Sequence, residues 1–205
     1  MQLSKGQNCG VTTAPMQVTC MWEAAPGLDA DLSALLLTGG KVRDDSDFVF
    51  YNQAASPDGA VQHLGKRNVG TYVEDRIGAD LARVRADVEV LAFSLSLDSS
   101  GGTLADLGAV NLTVLADDGS QMANFTIADM TTETAAITVE FYRRDAGWKV
   151  RAVGQGYHDG LAGLARDFGV SVDEPEPSAP AFDPTTPQAP RIDWSNPPVP
   201  AGYEL

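Results

Sequence analysis

The chain has 205 residues, 43% of them hydrophobic, and a formal net charge of -14. That length supports one ordinary domain with a real core, but not two large ones. The charge disfavours nucleic-acid phosphate and anionic lipid and suits cations or basic protein partners, although an acidic surface also simply keeps a protein soluble.

The N-terminal MQLSKGQNCG lacks the basic-then-apolar pattern of a signal peptide. No run approaches the ~18 apolar residues of a membrane span. Cys9 and Cys20 form no C-x-x-C pair and have no histidine cluster nearby. They read as free, reduced thiols rather than zinc ligands. These features give the expectation of a soluble, cytoplasmic protein.

From the N-terminus, two acidic clusters come first: Asp29 and Asp31, then Asp44, Asp45 and Asp47, followed by Asn52 and Asp58. Extended backbone would aim Asp29 and Asp31 at one side, and Asp45 and Asp47 likewise. Carboxylates gathered this way repel by about 1 kcal/mol per pair in water. Asp31→Asn or Asp47→Asn is therefore expected to leave the metal-free protein equally stable or slightly more so. A hard Ca²⁺ ion, which takes about six to eight oxygens, is the natural counter-ion. The spacing is not that of an EF-hand: Val49 takes a ligand position, and the required glycine and glutamate are missing. The competing reading is a solvated acidic loop.

Strand patterns follow. Asp47–Tyr51 is apolar on both faces and predicts a buried strand. Between Val88 and Leu97, alternation places Leu91, Phe93, Leu95 and Leu97 on one face. Val110, Leu112 and Val114 alternate with Asn111 and Thr113, and Asp117-Asp118-Gly119 then supplies a hairpin turn. Ile137, Val139 and Phe141 form the next apolar stripe. Asp145-Ala146-Gly147 turns the chain into Trp148, Val150 and Ala152. Many short strands joined by such turns predict an all-β, two-sheet sandwich. One short helix is expected near Leu161–Phe168, with Leu161, Leu164, Ala165 and Phe168 on one face and Gly169 as its stop, packed on an edge of the sandwich. After Val172 the prolines multiply, which rules out helix and central strand. The expected organisation is a domain over residues 1–172 and a flexible, proline-rich tail over 173–205. That tail is either inert or a docking arm carrying Trp194 and Tyr203.

Signals for catalysis are weak. His63 and His158 are lone histidines, and neither G-x-S-x-G nor H-E-x-x-H occurs. Gly154, Gly156, Gly160 and Gly163 lack the context of a phosphate-binding loop and read as turn and close-packing positions. A non-enzymatic protein is expected.

Longer stretches carry a resemblance. Leu3-Ser-Lys-Gly-Gln-Asn8, Asp29-Ala-Asp-Leu-Ser-Ala-Leu-Leu-Leu37 and Gly40-Lys-Val-Arg-Asp-Asp-Ser-Asp-Phe-Val-Phe-Tyr-Asn52 resemble successive signatures of TerD-family domains. Ser56–His63, Glu133–Ile137, Trp148–Tyr157 and Gly160–Val170 continue the likeness in order, to about residue 172. The resemblance implies a two-sheet β-sandwich, calcium held by acidic loops, and a role in tellurite resistance and stress response. Protein partners among other stress-operon or membrane-associated proteins would accompany that role. Carried over by position, the implied ligands are Asp29, Asp31, Asp45, Asp47 and Asn52, with Asp44 at a tolerant position. One departure stands out: where the family has an acidic, glycine-rich run, this chain has Gly65-Lys66-Arg67-Asn68 and onward to Glu74 and Asp75. Glu74 and Asp75 remain candidate ligands, with Arg76 as a competing partner. Cations cannot ligate Ca²⁺ and repel it, so the chain is expected to keep one site or none. The alternative function is a scaffold of the same fold with a degenerate metal site, docking through its tail. A third reading, a small-molecule or nucleotide binder, rests only on descriptions of some relatives.

Overall fold

A computed structural model describes residues 1–97 and 101–171. The expected tail over 173–205, with Trp194 and Tyr203, lies outside the described residues.

In chain order the strands are β1 (Asn8–Val11), β2 (Met16–Glu23), β3 (Ala30–Leu37), β4 (Phe48–Val49), β5 (Val61–His63), β6 (Arg67–Val69), β7 (Tyr72–Ala79), β8 (Val90–Leu97), β9 (Val110–Ala116), β10 (Gln121–Ile127), β11 (Ala135–Arg144) and β12 (Gly147–Tyr157), followed by helix α1 (Gly160–Phe168). Among the described residues they form two six-stranded sheets. One runs β1-β12-β11-β8-β3-β4; the other runs β10-β9-β2-β7-β5, with β6 also on β7. The strand pairings are antiparallel. Chain neighbours pair where turn chemistry is strong. β9 and β10 join through Asp117–Gly119, where Gly119 has φ +79°. β11 and β12 join through Asp145 and Ala146, both at positive φ, with Arg144 opposite Gly147.

The alternating apolar residues meet between the sheets. Leu91, Phe93 and Leu95 of β8 face Leu112 and Val114 of β9, with Trp22, Leu32, Ile77 and Phe141 in the same core. Burying such side chains contributes about 1.5–3 kcal/mol each, which makes the alternation decisive for register. β3 does not alternate, because its sheet is covered on both faces. Leu32, Ala34 and Leu36 belong to the inner core, whereas Leu35 and Leu37 pack outward with Phe48, Ile137 and Leu164.

Three local expectations need correction. The apolar run Asp47–Tyr51 is a strand only over Phe48–Val49. Asp45–Asp47 forms a 3₁₀ turn instead, started by Asp44, whose carboxylate accepts the Ser46 N–H at 2.9 Å. Helix α1 lies on the outer face of the first sheet, against β8, β11 and β12, rather than on an edge. Its buried side chains are Leu164 and Ala165, while Leu161 remains 39% exposed. The glycines do serve as turn and close-packing positions. Gly154, at φ +64°, forms a bulge in which Val153 and Gly154 oppose the single Thr138, with Phe125 packed where a side chain would stand.

Candidate functional site

The start of β3 presents Asp29 and Asp31 to the same side, as period-two geometry requires. Both reach one group. The Lys66 ammonium lies 2.8 Å from Asp29 Oδ1 and 2.8 Å from Asp31 Oδ1. Burial alone would lower the pKa of Lys66, but hydrogen bonds to Asp29 and Asp31 outweigh it and hold the ammonium above its ordinary value. Asp29 also accepts the Ala30 N–H at 2.9 Å.

The second cluster separates, because the 3₁₀ turn breaks the extended geometry. Asp47 is fully buried and bound by two guanidinium groups. Arg43 Nε donates to it at 2.8 Å, and Arg85 donates through Nη1 at 3.2 Å and Nη2 at 3.1 Å. Asp45 is exposed and accepts the Ser171 N–H at 2.8 Å. Asn52 is exposed in the turn after Phe50. Gln53 ties this loop down by donating to the carbonyls of Asp45 and Phe48.

Glu74 and Asp75 are consecutive on β7 and so face opposite ways. Glu74 pairs with Arg67. Asp75 is fully buried; it accepts the Leu32 N–H at 2.9 Å and the Arg76 N–H at 2.8 Å. His63 Nε2 lies 2.9 Å from Asp75 Oδ1, though not aligned as a hydrogen bond. Burial, with the nearby Asp75 charge, raises the pKa of the Cys20 thiol well above its ordinary value. Cys9 and Cys20 are both free.

The candidate ligands therefore do not form one site. Asp29 and Asp31 converge, Asp45, Asp47 and Asn52 diverge, Glu74 pairs with Arg67, and Asp75 is taken up by the Leu32 and Arg76 N–H groups. Among the described residues, no three His, Cys, Asp or Glu side chains are arranged to hold a metal ion. The donor set as it stands does not fit calcium, which needs about six to eight oxygens. The sequence reading missed the partners that make this so: Lys66 as the bridge, and Arg43 and Arg85 as the clamp on Asp47. Arg43 carried a signal, its i,i+4 spacing to Asp47. Arg85 carried none, being 38 residues away.

Next to this edge lies a cavity of about 360 Å³ between the outer face of β3 and β8, the 45–53 loop and α1. Phe48, Phe50, Leu161 and Leu164 supply apolar wall, and Asp31 and Asp45 supply carboxylates. Tyr51, 57% exposed, and Leu161 stand among its lining residues. The histidines are elsewhere: His63 is against Asp75, and His158 shares a 2.7 Å hydrogen bond with Thr132. No helix among the described residues is long and apolar enough to cross a membrane.

Comparison with known proteins agrees with this architecture. The TerD domain model matches residues 1–168. The tellurium resistance protein TerD of Serratia marcescens is 35% identical over 188 residues, covering 83% of this chain and 98% of that protein. General stress protein 16U of Bacillus subtilis (strain 168) is 30% identical over 162 residues, covering 75% and 84%. Chemical-damaging agent resistance protein B of Clostridium acetobutylicum is 30% identical over 138 residues, covering 64% and 99%. A crystal structure of a TerD homologue from Streptomyces coelicolor A3(2) shares the fold with a TM-score of 0.58 at 18% identity, covering 74% and 94%. With its two antiparallel sheets, single short helix and a family match over most of its length, this chain belongs to the TerD domain family of tellurium and chemical stress resistance.

Proposed function

We propose that this chain serves stress resistance as a binding module rather than a catalyst, acting through a protein partner that docks at the cavity beside α1. The observation that carries this reading is the cavity itself. Apolar and aromatic walls stand beside Asp31 and Asp45 on a chain of net charge -14. Such a surface suits a segment with an apolar side chain next to a Lys or Arg, because apolar burial supplies affinity and charge complementarity supplies selectivity. Tyr51 and Leu161 are exposed, so replacing both by Ala should spare the fold. The test is survival on tellurite of a host lacking the chain and complemented with either form. Resistance from the parent but not from the double variant, at equal melting temperature, supports the reading; equal resistance from both defeats it.

A second reading, calcium binding, rests on one observation: two carboxylate oxygens, from Asp29 and Asp31, converge on a single point, against the about six to eight oxygens calcium takes. A calcium ion there would have to displace the Lys66 ammonium. Calorimetric titration of the metal-free chain with Ca²⁺ and Mg²⁺ checks it. A flexible set of loop oxygens should prefer Ca²⁺, so equal responses to both ions would mean charge screening alone.

A further inference from the structure

The chain answers many of its acidic groups from within. Arg67 pairs with Glu74, Arg166 with Asp159 and Arg151 with Glu140, while Arg43 and Arg85 hold Asp47. Its rings carry cations as well. The Arg143 guanidinium lies 4.4 Å from the centre of the Trp148 ring, and that of Arg151 lies 5.4 Å from the centre of the Tyr142 ring. Arg151 thus holds a carboxylate and an aromatic ring at once.

The cavity beside α1 offers the same two kinds of partner without the cation. Asp31, Asp45, Phe48, Phe50 and Tyr51 are among its lining residues, and that lining includes no Lys, Arg or His. Asp45 pairs with no Lys or Arg among the described residues; its Oδ1 takes the Ser171 N–H at 2.8 Å. Asp31 meets Lys66 through Oδ1, but Lys66 also answers Asp29, so this group keeps a net negative charge. The mouth of the cavity is ordered before anything enters. Phe50 and Gln53 exchange backbone hydrogen bonds at 3.1 and 3.0 Å, closing a turn with Tyr51 and Asn52 at its tip. The Gln53 side chain also donates to the Asp45 and Phe48 carbonyls. The Phe50 ring stacks on Phe48 at 4.9 Å and meets Tyr51 edge-on at 5.5 Å. Tyr51 is therefore an exposed ring held in place, and such preorganisation lowers the cost of binding.

We propose that the basic group the partner inserts here is an arginine, and that the cavity selects it over lysine. The inference rests on the docking reading of this cavity and names its specificity. A guanidinium is planar, with its N–H donors around its edge, so it can meet carboxylates from different directions while its faces contact rings. It is also more weakly hydrated than an ammonium and loses less on entering aromatic and apolar surroundings. A lysine presents a compact, strongly hydrated charge and gains less from a ring beside it. The buried Phe48 and Leu164 leave the rest of the wall to the partner's neighbouring apolar side chain.

The test titrates the full-length chain with acetyl-Leu-Arg-amide, acetyl-Leu-Lys-amide and acetyl-Leu-citrulline-amide, followed by the NMR shifts of its backbone amides. The Arg and Lys probes carry the same charge, so general attraction to an acidic chain cancels between them. Citrulline keeps the shape of arginine without its charge. The Arg probe should bind about fivefold or more tightly than the Lys probe, with shifts centred on the 45–53 loop and α1, and the citrulline probe should bind least. Tyr51→Ala should bring the Arg probe down to the level of the Lys probe, and Asp45→Asn should also weaken it. Both side chains are exposed, so the variants should melt as the parent does. Equal affinity of the parent for the Arg and Lys probes overturns the proposal. So does binding of none of the probes, or either variant holding the Arg probe as tightly as the parent. Free arginine that binds as tightly as the Arg probe also overturns it, because the occupant would then be a small molecule rather than a partner's segment. Survival on tellurite judges the docking reading separately. Equal probe affinities with resistance lost in the Tyr51 and Leu161 double variant defeat only the arginine preference, whereas equal resistance defeats the docking reading whatever the probes do.

Discussion

The Asp75 carboxylate, carried by β7 in one sheet, accepts the backbone N–H of Leu32 in the other sheet at 2.9 Å. β4 is only two residues long and pairs with β3 only at Ala34 and Leu35. The Leu32 N–H thus lacks a strand partner on that side, and a side chain from the opposite layer supplies the acceptor. A buried carboxylate here links the sheets through hydrogen bonding, where their other contacts are mainly apolar.

Asp75→Ala should therefore destabilise the protein by about 2–4 kcal/mol, because it orphans buried donors as well as removing a charge. Asp75→Asn keeps an acceptor oxygen for Leu32 and should cost less. Urea unfolding of the three proteins gives the order parent, Asn, Ala. An Asn variant as damaged as the Ala variant would mean that charge, rather than the inter-sheet hydrogen bond, is what matters.

Asp47→Asn should lower stability in the presence of chelator, by about 1–3 kcal/mol after allowance for the partial exposure of its arginine partners. The sequence alone predicts the opposite sign, since clustered carboxylates repel. The structure reverses it because Arg43 and Arg85 already surround Asp47, so neutralising the carboxylate leaves two cations facing each other. Chemical denaturation in chelator decides the sign directly.

Ala146→Gly should raise stability by about 1 kcal/mol. Ala146 has φ +61° and follows Asp145 at φ +52° in the two-residue β11–β12 turn. An L side chain in this region costs about 1–2 kcal/mol, and Asp-Gly suits a turn with both central φ positive. A melting temperature unchanged or lowered in the variant would show that the turn does not hold this strain.

Acid stability should depend in part on Asp58. Burial pushes its carboxyl up, but hydrogen bonds from the Ser56 hydroxyl and the Ala60 N–H, together with Arg85, outweigh it and hold the pKa below the ordinary value. A depressed folded pKa contributes stability that is present above the unfolded value and lost as pH falls through the folded one. The stability gap between parent and Asp58→Asn should accordingly narrow as pH drops from neutral to below about 4. A gap that stays constant across that range would exclude this linkage.

The period-two stripes of β8, β9, β11 and β12 were legible without a structure, and so were the turns at Asp117–Gly119 and Asp145–Gly147. Alternation and turn chemistry are local properties, and in a two-sheet sandwich each stripe has one inner face to fill. The helix span and its Gly169 stop were legible for the same reason. Its seat on the sheet face was not, because that depends on β3, β8 and β11 presenting a second apolar surface.

The acidic site divides along the same line. That Asp29 and Asp31 share a side follows from strand periodicity, and the residue order alone shows Lys66 and Arg67 intruding on the usual acidic run. Where those cations go depends on the folded chain. Lys66 lies 35 residues from Asp31, and Arg85 lies 38 from Asp47. Chain folding brings them within hydrogen-bonding reach, and local spacing carries no trace of it. Charge pairing over such separations follows from strand order and loop anchoring, so the clustered carboxylates changed from apparent metal ligands into partners of the chain's own cations.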